Sequence, residues 1–230
     1  MDLESLKTKH YQDTYLFNPG EYGRIYAFVD FSNVRNWAKS FWPLENKEFI
    51  KKDIDIRKLA TFIDHVKPLK KFFYYGHHKE HPTLPPEHDF NIKYRQSIYR
   101  IDKARDCGFT TRTKDIKEIN DFDGEGKYLG TLRKCNFDIE IAMDMLLKIE
   151  KYDTVLLWSG DSDFHLLLQY LKAKKKRVIT VCARDFVSRE LRENSDRYVP
   201  ADSFKEHLAY IKTTSPGLTA GREKDNPIIL

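Results

Sequence analysis

Short apolar runs rich in β-branched and aromatic residues alternate along this chain with segments of helical period, and that alternation leaves few folds open. Arg24–Asp30 (RIYAFVD) reads as a strand buried on both faces. Asp55–Val66 then repeats at helical spacing, with Ile56, Leu59, Ala60, Ile63 and Val66 on one side. Lys70–Tyr75 (KKFFYY) is a second strand, Phe90–Cys107 a helix stopped by Gly108, and Phe109–Thr113 a short strand. A helix over Phe137–Ile149 is followed by strand Thr154–Trp158 (TVLLW), helix Phe164–Lys174 and strand Arg177–Cys182 (RVITVC). Strands interleaved with helices predict an α/β fold with a mainly parallel sheet. In such sheets ligands meet the crevice outside the carboxyl ends of the strands, so the residues just after each strand matter most.

Composition narrows the class. The chain of 230 residues has 40 basic and 35 acidic side chains, a formal net charge of +5, with 33% charged and 40% hydrophobic residues. That is too apolar for a disordered polyelectrolyte and too charged for a membrane protein. No apolar run approaches the roughly 18 residues of a spanning helix. The opening MDLESLKTKHYQD lacks the apolar core of a secretory signal. Cys107, Cys135 and Cys182 lie far apart with no CxxC, which reads as reduced thiols and a cytoplasmic protein. The mild positive balance permits a polyanionic partner. Residues 1–22 read as an N-terminal extension, 23–205 as a single domain and 206–230 as a C-terminal tail.

The strand ends are acidic. The first closes on Asp30-Phe31-Ser32-Asn33, and Thr154–Trp158 is followed by Ser159-Gly160-Asp161-Ser162-Asp163. Asp and Ser are favoured helix N-caps, which explains any one of them alone. Three carboxylates at one sheet edge repel each other unless a cation joins them, and hard divalent ions take oxygen ligands. On the Phe137–Ile149 helix, Glu140, Asp144 and Lys148 form a stripe that reads as a solvated, charge-paired face. Asp138 heads a different column, through Ala142, Met145 and Ile149, and lacks the capping-box partner three residues on, where Ile141 stands. It is the fourth candidate acid.

Together VDFSNV (29–34), the helix carrying Asp138 and Asp144, and SGDSDF (159–164) resemble the NYN domain, specifically its LabA-like branch within the PIN-like nuclease group. Ser188-Arg189-Glu190-Leu191 and the later Asp196-Arg197-Tyr198-Val199 resemble the same branch. The likeness runs from Ile25 to Phe204. It departs from the common pattern at Lys134-Cys135-Asn136-Phe137-Asp138, where a glycine is missing, and at Phe31, which stands where many relatives have Gly and is expected to narrow the groove beside Asp30. The resemblance implies a PIN-like, Rossmann-like three-layer sandwich in a single domain, and metal-dependent phosphodiester hydrolysis, usually of RNA. It implies that Asp30, Asp138, Asp161 and Asp163 hold Mg²⁺ or Mn²⁺ and carry catalysis. Asn33 would orient Asp30 or touch substrate, and Ser159 and Ser162 would add hydrogen bonds. Arg184 and Arg189, which follow the Arg177–Cys182 strand at the same edge, are the expected phosphate contacts. The expected partner is nucleic acid, single-stranded or structured RNA, with homo-oligomerisation open and no membrane. A haloacid-dehalogenase-type phosphatase needs a second Asp where Ser32 stands. The other alternative is a non-catalytic nucleic-acid-binding or scaffold module on the same fold.

The remaining features have ordinary readings first. Lys172–Arg177 is basic at a helix C-terminus, where cations complement the dipole. Lys93, Arg95, Arg100, Lys103 and Arg105, interleaved with Tyr94 and Tyr99, suit either a solvated helix or a strand-binding face. His77, His78, His81 and His88 match no common zinc spacing and read as a solvated loop lining the substrate groove. Trp37, Phe41 and Trp42 read as core or lid, and Asp115–Tyr128 as a mobile hairpin or loop.

Overall fold

The computed structural model describes residues 2–41 and 50–213; Trp42 and the end of the chain lie outside the described residues. Helix α1 (Leu3–Thr14) precedes β1 (Ile25–Asp30), α2 (Phe31–Trp37), β2 (Ile50–Ile54), α3 (Ile56–Asp64), β3 (Lys70–His77), α4 (Asp89–Asp106) and β4 (Thr110–Asp115). Then come β5 (Lys117–Phe122), β6 (Tyr128–Lys134), α5 (Asp138–Leu147), β7 (Thr154–Trp158), α6 (His165–Ala173), β8 (Arg177–Cys182), α7 (Arg189–Asn194), β9 (Arg197–Pro200) and β10 (Ala209–Thr213). Among the described residues no helix is long and apolar enough to cross a membrane.

Six strands form one sheet in the order β4-β3-β1-β7-β8-β9, and every neighbouring pair is parallel. Side chains alternate across the sheet. In β1, Ile25, Ala27 and Val29 enter one core with α2, α3 and α4, whereas Tyr26 and Phe28 enter a second core with α5, α6 and α7. This is the expected three-layer α/β sandwich. The first core is aromatic at its centre: Phe62 stacks on Phe204 at 4.1 Å, and Trp37 lies against Trp158 at 6.2 Å between centroids. Trp37 and Phe41 are thus core residues.

The strands and helices read from periodicity are present with ends shifted by a residue or two. The stretch 115–128 becomes part of the antiparallel β5–β6 hairpin, and β10 pairs antiparallel with β2. Helix α1 carries no apolar period, and its order comes from distant contacts. Tyr11 stacks on His65 at 4.4 Å, and Gln12 Nε2 donates to the His65 carbonyl at 2.6 Å.

Two expectations are corrected. Phe31 does not narrow the groove beside Asp30: it is fully buried and packs on Phe73 at 4.6 Å and Tyr75 at 5.3 Å. Nor is Asp144 on a solvated stripe. It is only 6% exposed, and accepts from Tyr74 Oη (2.9 Å), from Arg112 Nε (2.9 Å) and Nη2 (3.1 Å), and from Lys148. Helical spacing recognised the Asp144–Lys148 pair but could not see Arg112 arriving from β4. Burial alone would raise the Asp144 carboxyl, but the hydrogen bonds from Arg112, Lys148 and Tyr74 outweigh it and bring it down to about 2. Asp144 therefore ties α5 to β3 and β4.

Removing one member of such a buried network costs about 2–4 kcal/mol. Asp144→Ala is expected to lower stability by that amount at pH 7, read by urea denaturation. The folded carboxyl lies below its unfolded value, so its contribution is complete above about pH 5 and fades as pH falls toward 2. The difference between wild type and variant should shrink over that range; a difference constant with pH would contradict the assignment.

Candidate active site

The order of the sheet decides where a site can form. From β1 the chain builds outward through β3 and β4, then returns to add β7, β8 and β9 on the other side. The crevice therefore opens between the carboxyl ends of β1 and β7, where Val29 faces Trp158. Asp30 closes β1, and Ser159-Gly160-Asp161 follows β7.

Asp30 is the N-cap of α2 and accepts the Asn33 N–H at 3.2 Å. Ser159 is fully buried, and its hydroxyl donates to Asp30 Oδ2 at 3.4 Å while accepting the Asp161 N–H at 3.3 Å. It links the two acids and is too deep to reach a substrate. Asn33 Oδ1 accepts two donors, the Trp37 indole N–H at 3.0 Å and the Gly160 N–H at 3.2 Å. The side chain expected to orient Asp30 or touch substrate thus fastens α2 to the turn after β7. A β-carbon at Gly160 would lie 2.1 Å from the Phe186 carbonyl oxygen and 2.5 Å from Cys182 Sγ, so only glycine lets this turn pass.

Beyond it Asp161 accepts the Asp163 N–H at 3.1 Å and caps the single turn Ser162–Phe164, leaving Ser162 and Asp163 exposed. Asp138 opens α5, whose N-cap, Phe137, has no capping side chain. Its N–H donates instead to Asn136 Oδ1 at 2.7 Å. Alternation along β1 puts Asp30 on the face of Tyr26 and Phe28, the face that α5 covers.

The charges act on one another. Burial pushes Asp30 up to about 7; the Asn33 N–H opposes this, and the charges of Asp138 and Asp161 add to it. Asp138 is also raised, first by burial, then by Asp161 and Asp163, against the Asn136 amide and the Lys114 ammonium. Four carboxylates from three separate segments thus share one field. Their donor chemistry fits a hard divalent cation, being anionic, all oxygen, and relieved by positive charge. As the side chains stand, no three His, Cys, Asp or Glu among the described residues are gathered closely enough to form a metal-holding group.

The two arginines lie apart from the acids. Arg184 is exposed, with its N–H donating to Asp202 at 2.8 Å, and exposed Arg189 pairs with Glu193 at 2.7 Å. With Ser188 and Arg192 they line a cavity of about 310 Å³, next to the Gly160 turn because the Ser188 N–H donates to the Gly160 carbonyl at 3.1 Å. Sequence reasoning passed over Asn136 and Lys114. The Asn136-Phe137-Asp138 spacing is a readable Asx turn. Lys114, on a strand far in sequence, gave no signal.

The sequence model of the NYN domain family matches residues 24–203. The chain belongs to the NYN domain family. Members of the NYN family are typically metal-dependent nucleases. This NYN chain is 34% identical over 113 residues to the low amplitude and bright protein LabA of Synechococcus elongatus; the match covers 49% of this chain and 59% of LabA, so it spans less than two thirds of that relative. A solved structure of a protein of unknown function from Vibrio parahaemolyticus superposes with a TM-score of 0.56 at 18% identity, covering 82% of this chain and 96% of that one, a likeness of fold.

The raised Asp30 makes a stability prediction. The folded carboxyl titrates near 7 and the unfolded one near 4, so wild-type stability falls as pH rises between them, by up to about 4 kcal/mol. Asn also serves as an N-cap, so Asp30→Asn should melt several degrees above wild type at pH 8 without divalent ions, and alongside it near pH 3.5, below the unfolded pKa. Calorimetry at the two pH values checks this; equal melting at pH 8 would remove the electrostatic burden assigned to Asp30.

Proposed function

We propose that this NYN domain hydrolyses phosphodiester bonds in single-stranded or structured RNA with Mg²⁺ or Mn²⁺. The observation that carries the reading is the shared field of Asp30, Asp138, Asp161 and Asp163 at the sheet's topological switch point, with the innermost carboxyl raised to about 7. Those four side chains would hold the cation. When bound, it would polarise the phosphate and lower the pKa of an attacking water.

The chain's own groups prepare the site. The α2 N-terminus and the Ser159 hydroxyl hold Asp30 in one orientation. Asn33 and the tight Gly160 passage fix Asp161 relative to Asp30. Asp138 stands at the positive end of α5, which favours its ionised form against the pressure of its neighbours. Arg184 and Arg189, which line the cavity beside the Gly160 turn, would meet phosphates of a bound strand. The unpaired thiols of Cys107, Cys135 and Cys182 suit a reducing, cytoplasmic setting.

A second reading, a binding module without turnover, draws on the absence of a gathered ligand group among the described residues. One assay separates the two. Labelled single-stranded RNA should be cut with Mn²⁺ and not with EDTA, and Asp161→Asn and Asp30→Asn should each lose about 100-fold or more while keeping wild-type circular dichroism. RNA binding with no metal-dependent cleavage by the wild type would favour the module, and full activity in both variants would rule out the proposed roles.

A further inference from the structure

A second cavity, of about 610 Å³, opens at the carboxyl ends of β3 and β4, on the side of β1 away from β7. That volume lies within the usual range of small-ligand sites. Phe90 and His81 line it, with ring centroids 4.9 Å apart, and His88 stacks on Phe90 at 5.3 Å and 16°. Lys79, Lys114 and Lys117 also line it, against the acid Asp115, which Lys79 meets at 3.4 Å. Aromatic faces ringed by cations are the chemistry that holds a base by stacking and its phosphates by charge.

The loop bearing His81 and His88 is built rather than merely solvated. Asn91 is buried, and its amide oxygen accepts the His81 N–H at 2.9 Å. Its amide nitrogen reaches the carbonyls of His81 (3.0 Å), Leu84 (3.0 Å) and Pro85 (3.1 Å). Ser97, also buried, accepts the His78 N–H at 3.2 Å. A loop fixed in this way loses little freedom when a ligand binds.

The cavity also adjoins the acids. Lys114 meets Glu140 on α5 at 2.6 Å and acts electrostatically on Asp138. Cys135 packs against the bare backbone of Gly76, where a β-carbon would lie 2.5 Å from its sulfur, and it feels the charges of Asp30 and Asp115 alike. One continuous edge thus runs from the aromatic cavity past Lys114 and Cys135 to the carboxylates.

We propose that this cavity, walled by Phe90 and His81 and rimmed by Lys79, Lys114 and Lys117, is a subsite that stacks an unpaired base of single-stranded RNA beside the acidic crevice. It rests on the nuclease reading only in taking the strand to continue toward the aspartates.

The test measures fluorescence anisotropy of a short labelled oligouridylate on the full chain carrying Asp161→Asn, in EDTA. Adding Phe90→Leu should weaken binding about tenfold, the ordinary loss of one stacked base. Phe90→Trp should restore it, which excludes a merely misfolded variant. An abasic strand of the same length should bind equally with and without the Phe90→Leu change. Lys79→Ala and Lys117→Ala should each reduce the salt slope by about 0.7. Binding of oligouridylate unaffected by both Phe90→Leu and His81→Ala, or no binding by the parent, would overturn the subsite. Metal-dependent cleavage that needs Asp161 but ignores Phe90 would sink the subsite alone; Phe90-dependent binding with no cleavage by the chain that keeps Asp161 would sink the nuclease reading alone.

Discussion

A carboxylate withdrawn from water at the end of the central strand, with other carboxylates acting on it, is costly, and the neighbouring structure is arranged to keep Asp30 there. The α2 N-terminus and the Ser159 hydroxyl supply compensating hydrogen bonds. Neither neutralises the charge, which is why the group clings to its proton to near neutrality. Acids elsewhere in the protein are treated differently. Asp144, equally buried, has cations on it and sits at about 2. Asp53, also buried, is held by Arg35 and Arg100 at 3.1 Å each. Among the described residues, the other buried carboxylates are given a basic partner, and Asp30 is the exception that sits at the crevice.

The same contrast explains what could be read from the sequence. Strand and helix alternation is local, so the parallel sheet and the strand-end positions of Asp30 and Asp161 followed from spacing and apolar runs, while its layers followed from the family resemblance. Asp138 was singled out because it headed an apolar column through Ala142, Met145 and Ile149. Partners brought by distant strands were not. Asp144 looked solvated because Arg112 and Tyr74 lie 32 and 70 residues away. The histidine loop looked solvated because the amide that braces it, Asn91, stands on the following helix among polar residues with no apolar signature. Helix α1 is held by the Tyr11–His65 stack and not by an apolar stripe, so no periodicity revealed it.

Rigidity around the acids comes from small, short connections. Asn33 accepts hydrogen bonds from its own helix and from the turn after β7, and Gly160 lets that turn run against the Phe186 carbonyl. These contacts fix where Asp161 begins without occupying the crevice. The exposed Ser162 and Asp163 lie just beyond, on a single helical turn that Asp161 caps and buried Phe164 anchors.

The hydrogen bond between Ser159 and Asp30 spans 129 residues of chain, and this separation orders events during synthesis. The first wing of the sheet, β3 and β4 beside β1, comes from the earlier part of the chain and holds only one of the acids at the crevice. Until the ribosome has delivered β7 and the turn beyond it, a growing polypeptide has no complete carboxylate set, because closing so long a loop must come after its ends exist. The full set of acids thus comes together late, with the joining of the two wings.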